Sequence, residues 1–218
     1  MDRPDGMKAT APKQPSRDKI LDVAESLFAR RGFAGVGLSE VAEGTGLGKS
    51  SLFHHFRSKA QLYAAVIGRI LGRIEATLLR ALAHGGDPVT RLDRLMDAFI
   101  DELATHRTHA RLLLRSLFED DELAGDLPEE QEANDTLRRI TGSMAELLRE
   151  GMGTGVFRLA SATHTLQSLI GITIYHFASG EFGDELVGRP VFSAAEVKRR
   201  KLEVRALLHG GLLPRSMA

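Results

Sequence analysis

The segment that decides the fold is 38–62, LSEVAEGTGLGKSSLFHHFRSKAQL. Its pattern predicts a helix over 38–45, a three-residue turn beginning at Gly46, a second helix over 49–55 and a stop at Phe56. Two helices joined at a steep angle by a turn of three or four residues form a helix-turn-helix, whose second helix can enter the DNA major groove. The segment therefore predicts a DNA-binding element.

Caps and apolar spacing mark the helices on either side of this element. Ser16 is the expected N-cap of a first helix, and Gly32 its expected left-handed C-cap. Ser58 and Gln61 form a capping box that starts a fourth helix over 58–84. At 1.5 Å per residue this helix would be roughly 40 Å long, which is enough to join a head to a separate body. The apolar face of the first helix comprises Ile20, Ala24, Leu27 and Phe28.

The rest of the chain predicts five more helices separated by glycine-rich segments. The expected ranges are 88–106, 109–118, 129–150, 161–178 and 193–209, and the segment 180–190 is expected to be a connection. Because strand-like alternation is nearly absent, we expect an all-α protein of about nine helices. The helix over 161–178 is apolar almost all round, so it must be covered by its own body or by a second subunit.

Composition excludes several classes of protein. The 218 residues are 43% hydrophobic, carry no net charge and contain no cysteine, which excludes disulfides and thiolate catalysis. Residues 1–60 hold ten Lys/Arg against seven Asp/Glu, whereas 61–218 hold nineteen against twenty-two, a distribution that suits a DNA-binding head on a neutral body. Residues 1–15 read as a disordered arm without a signal peptide. No apolar run approaches the roughly 18 residues of a membrane span, so we expect a cytoplasmic protein without a membrane partner.

The order and spacing of apolar, glycine and basic residues over 16–66 resembles that of the TetR family of bacterial transcriptional regulators, the tetracycline-repressor type. The resemblance implies a three-helix DNA-binding head over 16–62 and a ligand-binding and dimerisation body over 63–218. It also implies a homodimer formed through the last two helices, and a repressor that a small molecule releases from a near-palindromic operator in double-stranded DNA. The residues that carry it are Ile20, Ala24, Leu27, Phe28, Gly32, Phe33, Val41, Ala42, Gly46, Leu47, Leu52, Phe53, His54, His55, Phe56, Ser58, Lys59 and Leu62.

The candidate DNA contacts lie on and around the second helix of the motif. Lys49 can pair with a phosphate or read a guanine edge, and the short Ser50 and Ser51 allow close approach to the bases. The resemblance implies that His54 and Lys59 contact the backbone, and that Ser51 and Phe53 lie at the groove. The full candidate set is Ser39, Lys49, Ser50, Ser51, Phe53, His54, His55 and Lys59.

Three positions depart from the family pattern by lacking a phosphate-directed hydroxyl. Gly37 stands where Thr or Ser is usual, Gly48 replaces a Ser cap, and Phe53 replaces a Tyr. A neutral hydrogen bond contributes about 0.5–1.5 kcal/mol, so we expect modest DNA affinity unless Lys49, Lys59 or the arm compensates. A second interpretation follows from these departures: an all-α small-molecule-binding protein with weak or no DNA binding.

The body offers candidates for a ligand pocket. A largely apolar effector is expected among the fourth to eighth helices, and its predicted contacts are Met96, Phe99, Leu103, Phe118 and Tyr175. The family implies that the effector moves the long fourth helix and so changes the spacing of the heads.

Four histidines of the body bear on the question of metal binding. His106 and His109, with His164 and His176 later, raise a metal or haem hypothesis, but no thiolate supports it and the first two look like part of an interhelical turn. We therefore expect no metal and no cofactor. No nucleophile motif, phosphate loop or paired-carboxylate constellation appears, so an enzyme is not expected.

Overall fold

The computed structural model describes residues 17–118 and 126–214, and over these ranges the chain forms ten α-helices and no strand. The predicted arm (1–15) and the predicted cap Ser16 lie outside the described residues. The helices are α1 (Arg17–Arg31), α2 (Leu38–Thr45), α3 (Lys49–His55), α4 (Lys59–Leu82), α5 (Pro88–Thr105), α6 (His109–Ser116), α7 (Pro128–Gly153), α8 (Ala162–Ala178), α9 (Glu181–Val187) and α10 (Ala194–Leu212).

The expected all-α architecture is confirmed, with one correction. The segment 180–190 was expected to be a connection, but it contains the short helix α9 between Gly180 and Gly188. Gly188 has φ 74°, the left-handed conformation that ends a helix, and the Asp184 carboxylate accepts a hydrogen bond of 2.8 Å from the Val191 backbone N–H. That contact stabilises a turn that the glycines and the proline alone would leave open.

The head is a small core closed by α1, α2, α3 and the first turns of α4. Phe28, Leu52, Phe56, Leu62 and Tyr63 are completely buried there. The Tyr63 ring meets that of Phe28 edge-on at 5.0 Å between centroids, an arrangement that aromatic pairs prefer. The start of α4 is thus part of the head core, and the head cannot turn without moving α4.

The remaining length of α4 forms the spine of the body. The whole of α4 has 24 residues and spans about 36 Å. The helix packs along α7 and against α5. Gly68 of α4 faces α7, and a Cβ at this position would lie 3.7 Å from that of Ala133, an ordinary van der Waals distance. At the top of this contact the Gln61 amide donates a hydrogen bond of 2.8 Å to Glu129. Since α4 belongs to both head and body, it is the covalent route between them.

A ladder of ion pairs holds α10 against α5. Asp93, Asp97 and Asp101 follow one another at a spacing of four, so they lie along one face of α5. The opposing antiparallel face of α10 presents His209, Arg205 and Lys201, with closest N–O distances of 3.0, 2.6 and 2.6 Å respectively. Exposed pairs contribute up to about 1 kcal/mol each, so the ladder mainly sets the register of the two helices.

Helix α8, predicted to be apolar all round, has a buried side and an outward side. Leu169 and Phe177 are buried in the body, whereas Gly171 is exposed and Tyr175 is 51% exposed. On α10 the side chains of Leu202 and Leu207 are likewise more than half exposed. Within the part of the chain described above, no helix is both long enough and apolar enough to cross a membrane.

Candidate nucleic-acid interface and body cavity

The seven-residue helix α3 presents a polar face to solvent. Leu52 and Phe56, four apart, are both fully buried and attach the helix to the head core. Because residues about one turn apart share a face of a helix, the opposite face is left to the predicted DNA contacts. Lys49, Ser50 and His54 are exposed, and Phe53 is 43% exposed. Ser51 and His55 are half-buried.

The turn before α3 has a defined geometry. Gly46 has φ 74°, where a side chain would be strained, and the Leu47 N–H donates a hydrogen bond of 2.8 Å to the Ala42 carbonyl. The Lys19 ammonium of α1 donates to the Thr45 carbonyl at 3.2 Å. The end of α2 is therefore tied to α1, and α3 leaves it in a set direction.

The start of α2 is capped without a hydroxyl. The Glu40 carboxylate accepts the Gly37 N–H at 3.1 Å and receives two hydrogen bonds from the Arg31 guanidinium, at 3.0 and 2.8 Å. Arg31, and then the Gly37 N–H, hold the pKa of Glu40 below its ordinary value. The next candidate, Ser39, is half-buried on α2. Arg31 thus offsets a carboxylate that would otherwise repel a phosphate.

Lys59 makes contacts within the head, to the backbone and ring of Phe33. Its ammonium donates a hydrogen bond of 2.9 Å to the Phe33 carbonyl and lies 4.2 Å from the centre of the Phe33 ring. An ammonium has three donors, so this bond leaves N–H groups for a further acceptor. Sequence reasoning did not select Arg57, an exposed cation in the turn between α3 and α4. The sequence did contain a pointer to Arg57, because this residue directly follows Phe56, where α3 was predicted to stop.

The body contains a partly open cavity of about 360 Å³ between α4, α5, α6, α7 and α8. Its wall is largely apolar, with polar groups from Ser116, Glu130, Asn134 and Thr141. Glu130 is buried, and its Oε1 atom has no hydrogen-bond partner among the described residues. The apolar side chains on the wall include Ile67, Leu71, Ile74, Leu78, Phe99, Leu113, Ile140, Met144, Ile170 and Ile174.

Of the five residues predicted to contact a ligand, one lies on the cavity wall and four do not. Phe99 lines the cavity. Met96 and Leu103 are buried in the core but are not part of the cavity wall, and Phe118 is 80% exposed. Tyr175 faces outward, although the preceding residue of α8 lines the cavity, because one residue along a helix rotates the side chain by about 100°. Sequence periodicity did not select the wall residues from α4 and α7.

Of the four predicted histidines, the structure brings two together. His106 and His109 stack with ring centroids 4.5 Å apart, at the junction of α5 and α6. Burial lowers the pKa of His109 to about 4. His164 is exposed at the start of α8, and His176 is buried near its end, where burial and then Arg200 lower its pKa to about 4. Sequence reasoning missed Glu102, whose carboxylate lies beside both stacked rings.

Comparison with known proteins covers both parts of the chain. Residues 20–66 match the model for bacterial regulatory proteins of the tetR family, and residues 88–206 match that for the tetracyclin repressor-like C-terminal domain. The chain is similar to the transcriptional repressor KstR2 of Mycolicibacterium smegmatis, with 28% identity over 155 residues, or 70% of this chain and 73% of that protein.

Two solved structures show the same fold. That of AibR in complex with isovaleryl coenzyme A and operator DNA has a TM-score of 0.72 at 18% identity, covering 87% of this chain and 96% of that one. That of FadR from Bacillus subtilis in complex with stearoyl-CoA has a TM-score of 0.68 at 15% identity, covering 90% and 99%. The two family models together match residues from both helix groups of the chain, 20–66 and 88–206. The chain belongs to the tetR family of bacterial regulatory proteins.

Proposed function

We propose that this regulator is a cytoplasmic repressor that binds a near-palindromic operator as a homodimer and is released by an acyl thioester of coenzyme A. The observation that carries the DNA-binding half is the exposed polar face of α3, held by the buried Leu52 and Phe56. The head comprises 16–62 and the body 63–218, a division supported by the two family matches at 20–66 and 88–206. The proposed function requires no catalysis.

The roles of the head residues follow from their positions. Lys49, at the first position of α3, pairs with a phosphate or reads guanine, while Ser50 and Ser51 allow the helix to approach the bases. Phe53 packs against sugar or a thymine methyl group. The remaining cationic and polar side chains contact the phosphate backbone of the DNA; they are Ser39, His54, His55, Arg57 and Lys59.

Dimerisation supplies the second recognition helix. One seven-residue helix spans few base pairs, so useful specificity needs two heads. The outward faces of α8 and α10, which expose Tyr175, Leu202 and Leu207, supply the apolar surface for a two-fold contact. In such a dimer the heads reach major grooves about 34–36 Å apart, or a multiple of this distance.

The cavity supports the choice of effector. At about 360 Å³ and with a largely apolar wall, it suits the acyl part of a ligand. The Glu130 Oε1 atom, which has no hydrogen-bond partner in the described part of the chain, and the amide of Asn134 can bind a polar group of that ligand. The two structural neighbours contain isovaleryl coenzyme A and stearoyl-CoA, which supports this chemical class. Residues from α4 line the cavity, so its filling acts on the helix that carries the head.

Selection of bound fragments from random DNA tests the DNA-binding half. We expect a two-fold site, and a plot of log affinity against log salt with a slope near −7 if about eight phosphates are neutralised. Lys49→Ala should reduce the affinity about tenfold or more and make the slope shallower by about one. Arg138→Ala removes an exposed cation of the body and is the matched control. Failure to retain any fragment at low salt would disprove the proposal.

Displacement of operator DNA by ligands tests the effector half. Isovaleryl- or stearoyl-CoA should release the protein, whereas free coenzyme A should not. Leu71→Trp narrows the cavity and should weaken release while leaving DNA binding intact. Leu79→Trp, on the exposed side of the same helix, should respond like the unaltered protein. Equal release by free coenzyme A, or an unchanged response in Leu71→Trp, would contradict this assignment.

A further inference from the structure

Three side chains of the kinds that bind metal ions lie together at the junction of α5 and α6, apart from the cavity. Glu102 and His106 are one helical turn apart at the end of α5, and the turn that follows brings His109 beside them. The Glu102 Oε1 atom lies 3.0 Å from His106 Nδ1 and 3.5 Å from His109 Nδ1. One ligand atom from each of the three side chains lies within 4.8 Å of the other two. The chain thus places two imidazoles and a carboxylate around one point.

Three polar atoms of this cluster are buried without a hydrogen-bond partner among the described residues. His109 is completely buried, and neither of its ring nitrogens has a hydrogen-bond partner within the described part of the chain. The Glu102 Oε1 atom, on a side chain that is 9% exposed, also lacks one. An unsatisfied buried polar atom is costly, and two of the three, Glu102 Oε1 and His109 Nδ1, lie 3.5 Å apart, so one ligand could bind both.

A divalent transition-metal ion fits the donor set and the spacing. Zinc takes histidine nitrogens at about 2.0–2.1 Å and carboxylate oxygens at about 2.0–2.2 Å, so adjacent ligand atoms are roughly 3.0–3.5 Å apart. The two measured separations from Glu102 Oε1 are in this range. Imidazole with carboxylate and no thiolate suits zinc and its first-row neighbours.

Solvent can reach the cluster from one side. The His106 side chain is 36% exposed. An open groove of about 520 Å³ between α4 and α5 is lined by Glu102 and His106, together with Thr77, His84 and Asp101. An ion can therefore enter without opening the core, and the remaining coordination positions can hold water.

The opposite side of the cluster faces the head. His109 Nε2 lies 3.7 Å from Glu25 Oε1, and Glu25 belongs to α1. The Thr108 hydroxyl donates to the same oxygen at 2.6 Å, and Arg69 of α4 donates to the other oxygen at 2.6 Å. A histidine that binds a metal through one nitrogen commonly donates its other N–H to a carboxylate, which orients the ring.

We propose that Glu102, His106 and His109 bind a divalent transition-metal ion such as Zn²⁺, with Glu25 of the head accepting the free N–H of His109. The ion would be held through His109 Nδ1, and the Nε2–H would then donate to Glu25. Occupancy is thereby linked to the position of α1, and so to the head. Only this link to operator binding rests on the proposed function; the binding of the ion does not.

Calorimetric titration of Zn²⁺ into tag-free, chelator-stripped full-length protein tests the site. We expect saturable binding of one ion per chain, and affinity at least about tenfold lower in His106→Ala and in Glu102→Gln. His164→Ala removes an exposed histidine elsewhere and is the matched control. Circular dichroism establishes that each variant is folded, and Co²⁺ provides a second readout through the visible absorption of a nitrogen- and oxygen-bound ion. Absence of saturable binding, or equal binding in the wild type and His106→Ala, would overturn the site.

Operator affinity with and without Zn²⁺ tests the link to the head. We expect a change of at least about fivefold in the unaltered protein and none in His106→Ala. If Zn²⁺ binds to the predicted residues but operator affinity does not change, the link through Glu25 is wrong. If no DNA is bound under any condition, the proposed function fails, while the Zn²⁺ titration still decides the metal site.

Discussion

The Arg69–Glu25 pair links α4 to the head helix α1, and its removal is the sharpest test of how these two helices are joined. Arg69 donates to Glu25 at 2.6 Å and to Asp22 at 2.7 Å. Its side chain is 14% exposed and that of Glu25 is 11% exposed, whereas Asp22 is 65% exposed. The bond to Asp22 is therefore worth little, and the bond to Glu25 carries most of the effect.

Arg69→Met should lower the free energy of unfolding by about 2–4 kcal/mol. A charge-assisted hydrogen bond contributes about 1.5–3 kcal/mol, and leaving a buried carboxylate unpaired adds to the loss. Arg73, 3.8 Å from Glu25, compensates in part and keeps the value below the upper limit for a broken buried pair. Thr108 still donates to Glu25 in the variant.

Urea unfolding followed by far-ultraviolet circular dichroism measures the effect, at one fixed protein concentration because dimerisation contributes to stability. Arg139→Met is the matched control, since Arg139 makes two hydrogen bonds to Glu75 but is 57% exposed, and it should cost less than about 1 kcal/mol. The double variant Glu25→Gln/Arg69→Met should lose less than the sum of the single losses. Strict additivity, or a loss below 1 kcal/mol in Arg69→Met, would refute the reasoning.

Two further predictions concern the body. Burial lowers the pKa of His176 to about 4, so between pH 4 and 6.5 the unfolded chain binds a proton that the folded chain does not. The free energy of unfolding should therefore rise with pH over this window. At pH 5 the loss due to His176 should be roughly 2 kcal/mol relative to pH 7.5. Urea midpoints near pH 5 and 7.5 should differ less in His176→Gln, and an unchanged difference would count against this origin. Gly151→Ala should destabilise by about 1–3 kcal/mol, because a Cβ there would overlap the buried Phe157 ring. In a Phe157→Ala background the same change should be neutral or favourable, since alanine is the better helix former; a loss there too would contradict the steric explanation.

The head was predictable from the sequence because its signals are local. The bounds of α2 and α3 agree with the predicted 38–45 and 49–55. Gly32 adopts the left-handed conformation expected of the C-cap of the first helix, with φ 73°, and Leu52 and Phe56, four apart, are both buried. Caps and helical periodicity depend on residues within a few positions of one another, so one sequence is sufficient to read them.

The body sites depend on contacts that local patterns do not contain. Periodicity places Phe99 and Tyr175 on apolar helices, but the packing of five helices decides that Phe99 meets the cavity and Tyr175 does not. The spacing of His106 and His109 is visible in the chain, whereas the approach of Glu25 to His109 spans more than eighty residues. By itself the sequence determined nine of the ten helices of the described residues, all but α9, and which face of α3 is polar, because these follow from short-range periodicity. Only the tertiary structure decided where a void remains and which buried charges meet, because both are set by how distant helices fill space against one another.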